Sequence, residues 1–209
     1  MMSLLEEVEE PIYETPFIWI YREPKVGVRY VAGVDVGEGV GEDDSTLTIL
    51  GREGMQSEVV AVICSNAIGT DLFAYEVDKL CRRYFNPLLC VENNSLGDSV
   101  LKKLLELGYP RLYYEQKEMK KGVRKPGIAT TGFNRTVNIN ELGQNIANGS
   151  VITRCKPQLL QMLEFHWDFD HKPARPEGGK HDDLVMSFVI ANQMLKHQYS
   201  VLPEAVIYT

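Results

Sequence analysis

Asp35 stands in the apolar middle of YVAGVDVGEGVG, residues Tyr30–Gly41. A carboxylate there is costly unless something pairs with it. Side chains alternate along a strand, so Val31, Gly33 and Asp35 share one face and Tyr30, Ala32, Val34 and Val36 the other. Two readings of Asp35 stand: it caps the glycine-rich turn that follows, or it holds a metal together with other carboxylates. Glu92 is the second acid of this kind. It ends the apolar run Pro87–Val91 and shares a face with Leu88 and Cys90. The third is the pair Asp182-Asp183, which opens the last apolar stretch. Three or four carboxylates at one sheet edge cannot all ionise without a counter-ion. Hard divalent cations with oxygen ligands supply one. Two such ions, about 3.5–4 Å apart, suit phosphoryl displacement, one activating water and the other stabilising the leaving oxygen. Each acid alone is a weak signal; the order Asp, then Glu on a later strand, then Asp on a late helix is more specific.

The elements that must position these acids can be read from patterning. Tyr30–Val36, Ser45–Leu50 and Val59–Cys64 are three closely spaced strands, which predicts antiparallel hairpins. Thr70–Tyr84 has a helical face of Phe73, Val77, Leu80 and Tyr84, with Thr70 or Asp71 as cap. The strand Pro87–Val91 follows, then a helix capped by Ser95 or Asp98, burying Val100, Leu101, Leu104 and Leu105 and ending at Gly108. Arg111–Tyr114 is a fifth short strand. Asn134–Asn148 is a helix with Ile139, Leu142 and Ile146 inward, Val151–Thr153 is extended, and Pro157 starts a helix to about His166. The last helix begins at Asp182-Asp183 and buries Leu184, Phe188, Ala191 and Leu195. Residues 115–133 and 168–181 are loops, the first long enough to suggest a functional role. The order is three antiparallel strands, then α/β crossovers adding parallel strands, then helices. In that topology the first and fourth strands lie side by side and parallel, so Asp35 and Glu92 reach the same edge.

Composition sets the outer bounds. The 209 residues are 44% hydrophobic and 24% charged, as in a soluble globular domain. No apolar run spans a bilayer; the longest, near Leu184 to Leu195, is interrupted by Ser187, Asn192 and Gln193. The acidic N-terminus lacks the features of a signal peptide, which predicts a cytosolic protein. Cys64, Cys81, Cys90 and Cys155 are widely spaced among apolar residues and read as buried free thiols. A net charge of −7 argues against nucleic acid as partner, but the charge is uneven. Residues 1–14 hold five glutamates and no base, whereas 117–125 (KEMKKGVRK) hold five bases against one acid. Residues 1–16 are expected to be an acidic linker or tail, 17–197 the domain, and 198–209 a C-terminal tail, with Phe17–Tyr21 packing on the body as a short extended piece.

With these pieces in place, the chain resembles the nuclease domain of the large terminase subunit of tailed bacteriophages, within the RNase H-like (resolvase/integrase) superfamily. The resemblance rests on Tyr30–Gly41 with Asp43-Asp44-Ser45, Cys90–Asn94, Gly132–Gly149 and Gly179–Ser187, and extends from about Phe17 to Leu195. It implies an α/β, RNase H-like fold with a mixed five-stranded sheet flanked by helices. It also implies a two-metal Mg²⁺ or Mn²⁺ site on Asp35, Glu92 and an aspartate of the Asp182-Asp183 pair, with Asp183 preferred. The implied activity is endonucleolytic cutting of concatemeric double-stranded viral DNA during packaging, in the host cytoplasm at the procapsid portal. The implied partners are duplex DNA, the terminase ATPase, the portal protein and the small terminase subunit, with no membrane. The family's full-length subunits carry an ATPase motor ahead of this domain, and no G-x-x-x-x-G-K-[ST] loop exists here, so a separated nuclease domain or a truncated chain is expected, monomeric when isolated.

Blander readings sit beside these. Lys180 either touches the scissile phosphate as a point charge or is solvated. His181 orients a carboxylate, contacts DNA or caps the helix. Lys117, Lys120, Lys121, Arg124 and Lys125 meet DNA phosphates or form a solvated loop. Asp43 and Asp44 are expected to shape the turn into the second strand rather than bind metal, Glu38 to be solvated beside the site, and Asn93 and Asn94 to finish a strand rather than touch substrate. Rival functions are a Holliday-junction resolvase or transposase-like nuclease, and a non-catalytic docking module for a portal or motor. A sugar-kinase-type ATPase is disfavoured, since Gly33–Gly37 has no second such loop in the chain.

Overall fold

In a computed structural model of the chain, residues 8–37, 43–115, 126–163 and 182–198 are described. Their elements are β1 (Tyr13–Glu14), β2 (Ile18–Ile20), β3 (Arg29–Asp35), β4 (Ser45–Glu53), β5 (Gln56–Ser65), α1 (Thr70–Arg83), β6 (Leu88–Val91), α2 (Ser95–Glu106), α3 (Gly132–Ala147), β7 (Val151–Ile152), α4 (Lys156–Leu163) and α5 (Asp183–Met194). The strands form one mixed sheet in the order β1-β2-β5-β4-β3-β6, with β7 beside β5. β3, β4 and β5 are antiparallel neighbours, and β6 joins β3 in parallel after the α1 crossover. This is the expected RNase H-like mixed α/β arrangement.

The sheet is wider than five strands. The Phe17–Tyr21 segment supplies β2, which pairs antiparallel with β5, and residues expected to be tail supply β1 on its outer side. Glu9 also reaches the body, through an ion pair with Arg22 at 2.6 Å. The two residues of β7 pair in parallel with Ser57 and Glu58. Arg111–Tyr114, by contrast, forms only isolated bridges, Leu89 to Leu112 and Tyr114 to Pro126 and Gly127. It exchanges two hydrogen bonds with Leu89, at 2.9 and 2.8 Å, and then turns toward residues 126–128, so no ladder extends along β6.

Strand alternation sorts the side chains onto two cores. Tyr30, Ala32, Val34 and Val36 pack with Leu47, Ile49, Leu89 and Val91 under α1 and α2. Val31, Leu50, Val62, Leu88 and Cys90 pack under α3 and α5 on the other side. All twelve residues of α5 are buried, as expected of a helix that is apolar around most of its circumference. Gly33 lets α5 come close. A Cβ there would lie 2.3 Å from the Ala191 nitrogen and 2.4 Å from the Ser187 carbonyl oxygen.

Several caps differ from the sequence reading. α1 begins after Gly69 with no side-chain cap, and Asn94, not Ser95 or Asp98, caps α2 by accepting from the Gly97 amide at 2.7 Å. α3 starts with a capping box in which Thr131 and Asn134 exchange backbone bonds. Midway along α3, a Cβ on Gly143 would meet no described atom within 4 Å beyond its chain neighbours and its own helix backbone. Gly143→Ala therefore adds helix propensity without a clash. It is expected to stabilise the protein by about 0.5–1 kcal/mol, read by urea unfolding.

Candidate active site

The parallel register of β3 and β6 pairs Val34 with Val91, which sets Asp35 and Glu92 next to each other at the strand ends. The Glu92 amide continues the ladder by donating to the Val34 carbonyl at 2.9 Å. Asp35 is buried and its carboxyl hydrogen-bonds Glu92. Burial above all, then that hydrogen bond and the charges of Glu92, Asp183 and Asp182, push the Asp35 pKa well above the ordinary carboxylate value. Among the described residues, the charged groups acting on Asp35 are acids, brought in by β6 and by α5.

The backbone around this edge is fixed by close contacts. Asn94 accepts from Gly97 and also donates to the Val36 carbonyl at 3.1 Å, tying the end of β3 to the start of α2. A Cβ on Gly97 would lie 1.9 Å from the Glu92 carbonyl oxygen, so only glycine lets α2 begin directly beneath Glu92. The Asn93 amide donates to the Ile128 carbonyl at 2.7 Å, and the Ile128 amide donates to the Val91 carbonyl at 3.0 Å. Residues 126–128 therefore run alongside Glu92, and a bridge from Tyr114 to Pro126 closes the two ends of the intervening segment.

α5 carries the remaining acids, and the structure gives them different partners. Asp183 is buried; its carboxylate accepts from the Asp44 amide at 3.0 Å and its carbonyl accepts from the Thr46 hydroxyl at 2.8 Å. Thr46 is the register partner of Asp35, so this bond holds Asp183 above the same edge. Asp182 occupies the N-cap position of α5 yet makes no cap with its side chain. Its carboxylate pairs with the Arg135 guanidinium of α3. The amide of Leu184 is instead satisfied by Gln161 of α4, at 3.0 Å.

A buried polar chain locks α5 to its neighbours. Thr153 donates to the Gln158 side-chain oxygen (2.8 Å), and Gln158 donates to the Thr48 hydroxyl (2.8 Å). Thr48 and Ser187 are 2.9 Å apart, and Ser187 donates to the Leu184 carbonyl at 3.2 Å. Since Ser187 spends its one proton on Leu184, Thr48 donates to Ser187, which fixes the direction of the whole chain. Gln158 is fully buried, and replacing it with leucine removes one hydrogen-bond partner from each of the two threonine hydroxyls it joins. Gln158→Leu is expected to destabilise the fold by about 1–3 kcal/mol in denaturant unfolding.

Of the residues singled out from the sequence, Asp35 and Glu92 are brought into contact, and Asp183 and Asp182 act on Asp35 through charge. The expected convergence is looser than a formed cage. Among the described residues, no three His, Cys, Asp or Glu side chains stand together as a metal-binding group. Asp183 is bonded to the Asp44 amide and Asp182 is paired with Arg135. Asp44 does more than shape a turn, since its amide holds Asp183. Lys180, His181, Glu38 and the bases Lys117, Lys120, Lys121, Arg124 and Lys125 lie outside the described residues. The sequence reading gave no role to Arg135, Gln158 or Gln161. All four cysteines are free thiols; Cys64 is half-buried beside Asp44, and burial first, then that carboxylate, push its thiol pKa up.

No family model matches the chain. Its fold is shared with solved nuclease domains at low identity. The large terminase nuclease from thermophilic phage G20c with bound magnesium is 16% identical, covering 91% of this chain and 95% of that one, with a TM-score of 0.70. The Thermus phage P74-26 large terminase nuclease domain is 17% identical over 92% and 93% of the two chains, with a TM-score of 0.67. The human cytomegalovirus terminase nuclease domain, soaked with manganese, is 10% identical over 93% and 94%, with a TM-score of 0.60.

Proposed function

We propose that this chain is a metal-dependent endodeoxyribonuclease, the nuclease domain of a phage DNA-packaging terminase that cuts concatemeric double-stranded DNA by two-metal phosphodiester hydrolysis. The observation that carries this reading is the meeting of Asp35 and Glu92 at the ends of parallel neighbours, beneath Asp183 at the start of a buried helix. The solved domains of the same fold support it, two of the three named above having been exposed to magnesium or manganese.

The residues fit a hard divalent cation. They offer carboxylate oxygens, and among the described residues the charges bearing on buried Asp35 are negative. Asp35, Glu92 and Asp183 are the proposed ligands, with Asp182 near them. Two bound Mg²⁺ or Mn²⁺ ions would supply an activated water and neutralise charge on the phosphate during in-line displacement. The protein's own contribution is placement. β3 and β6 fix two oxygens by backbone register, and the Thr46 and Asp44 bonds fix the third. Lys180 is proposed to touch the scissile phosphate. Lys117, Lys120, Lys121, Arg124 and Lys125 are proposed to meet flanking phosphates, so base identity matters little. The segment that holds these five bases is rooted at Tyr114 and Pro126, close to Glu92. In the setting proposed, the host cytoplasm, the ATPase motor, portal and small subunit are the protein partners.

The test is cleavage of supercoiled and linear plasmid, and of a four-way junction, with Mn²⁺, Mg²⁺ or EDTA, beside Asp35→Ala and Asp183→Ala. Duplex cutting that needs metal and both aspartates supports the reading. Metal-dependent cutting that survives either substitution rejects the site, and preference for the junction rejects the terminase assignment. Alanine at Lys120, Lys121 and Arg124 together is expected to weaken duplex binding and to flatten its salt dependence by about two to three in log–log slope, read by anisotropy across a salt series.

A further inference from the structure

Arg135 is the cation that the structure brings to this edge by a packed helix. Its amide donates to the Thr131 carbonyl at 2.9 Å, one turn after the capping box that fixes the start of α3. Ile139 and Leu142, one and two turns further on, anchor α3 in the core beside α5. The guanidinium therefore approaches Asp182 from a rigid base. Both side chains are mostly shielded, 20% and 17% exposed, so this is no loose surface pair.

The pairing also explains an irregularity in α5. An aspartate at an N-cap ordinarily accepts from the amides two or three residues on. Asp182 does not, and Gln161 from α4 takes the Leu184 amide in its place. Two elements thus cooperate to divert Asp182: α4 fills the cap and α3 holds the carboxylate. The next residue, Asp183, faces the opposite demand and stays at the Thr46 and Asp44 edge.

We propose that Arg135 is a positioning residue that holds Asp182 out of the cation site, leaving the ions to Asp35, Glu92 and Asp183. The inference rests on the nuclease reading above and extends it. A fourth carboxylate free to swing in would bind the ions more tightly and fill coordination positions that the phosphate needs. Arg135 trades cation affinity for an open site.

The experiment is a Mn²⁺ titration of the intact chain, read by calorimetry and by thermal shift, with no DNA present. The proteins are wild type, Arg135→Gln, Asp182→Asn and the double variant. Arg135→Gln is expected to tighten Mn²⁺ binding about tenfold when Asp182 is present, because a repelling charge is lost and a ligand gained. With Asp182→Asn the same change should alter affinity by no more than about threefold, since an unpaired guanidinium swings into solvent where its charge is screened. Equal tightening in both backgrounds means Arg135 acts as a bare charge and overturns the positioning role, as does no tightening at all. If Arg135→Gln does not fold without metal, Arg135→Lys keeps the charge but loses the fork. It should still bind Mn²⁺ more tightly than wild type, and lose that gain with Asp182→Asn; failure of either overturns the proposal. A wild-type protein that shows no Mn²⁺ response overturns the nuclease reading and this inference together, whereas a wild-type response without coupling overturns this inference alone.

Discussion

Asp35→Asn is expected to abolish metal-dependent cleavage, by at least about 10³-fold, while making the metal-free protein more stable. Both effects come from one arrangement. Asp35 is buried against Glu92, and Asp183 and Asp182 add charge of the same sign. Without cations the fold confines acids that repel one another, and an amide of the same shape removes one charge and can still hydrogen-bond Glu92. The gain should be of the size usual for relieving an unfavourable site, about 0.5–2 kcal/mol, seen as a higher Tm in EDTA. Its pH dependence has a definite sign. Asp35 has a raised pKa in the folded state, so the folded protein keeps this proton to higher pH than the unfolded chain does. Its contribution to stability is therefore present at low pH and is lost as pH rises from the ordinary carboxylate range through the raised value. The advantage of Asp35→Asn should widen over that interval and level off above it. Added Mn²⁺ should reverse the order, stabilising wild type and leaving the variant nearly unmoved. Equal Tm values in EDTA at neutral pH would mean that the acids are not strained against one another.

Gly33→Ala is expected to destabilise the protein by about 3 kcal/mol or more, and to abolish cleavage as well. The added Cβ would sit 2.3 Å from a backbone nitrogen and 2.4 Å from a backbone oxygen of α5. Neither atom belongs to a flexible side chain that can turn aside. The helix as a whole must retreat from β3, and it is held by Thr46, Thr48 and the core on the same face. Any retreat carries Asp183 away from Asp35, so activity should fall further than stability alone explains. Urea unfolding gives the first effect, and cleavage per folded molecule, normalised by circular dichroism, gives the second. Gly143→Ala is the matched control, a methyl added to a helix with open space around it.

The part of the site that lies on the sheet was legible in the sequence because two simple rules govern it. Alternation puts Asp35 on the face of Val31 and Gly33, and the crossover rule makes β6 a parallel neighbour of β3. Together they predict that Asp35 and Glu92 share an edge. The start of α5 was legible too, since Asp182-Asp183 precede an apolar run. The division of labour between those two aspartates was not. It is decided by the Asp44 amide, 139 residues away in sequence, and by Arg135, 47 residues away. Neither partner has a local signature. Gln158 and Gln161 escaped for a related reason: a glutamine in a helix resembles a solvated surface residue until its partners are known. The width of the sheet was underread because Phe17–Tyr21 and Val151–Thr153 were legible as extended but their pairing with β5 was not, and β1, two residues long, shows no period.

The bridge between Tyr114 and Pro126 has a consequence for how such a protein can change over generations. It closes the intervening stretch at its base, and Gly127, at φ +86° and placed where a Cβ would lie 2.5 Å from the Val91 carbonyl oxygen, secures the return beside β6. Loop closure grows dearer only slowly with length, by about 0.6 kcal/mol per doubling. Insertions and charge exchanges there can therefore accumulate without disturbing the register that sets Asp35 beside Glu92. On the proposed nuclease reading, the acids and the phosphate-binding bases are separable modules of one domain, free to diverge at different speeds.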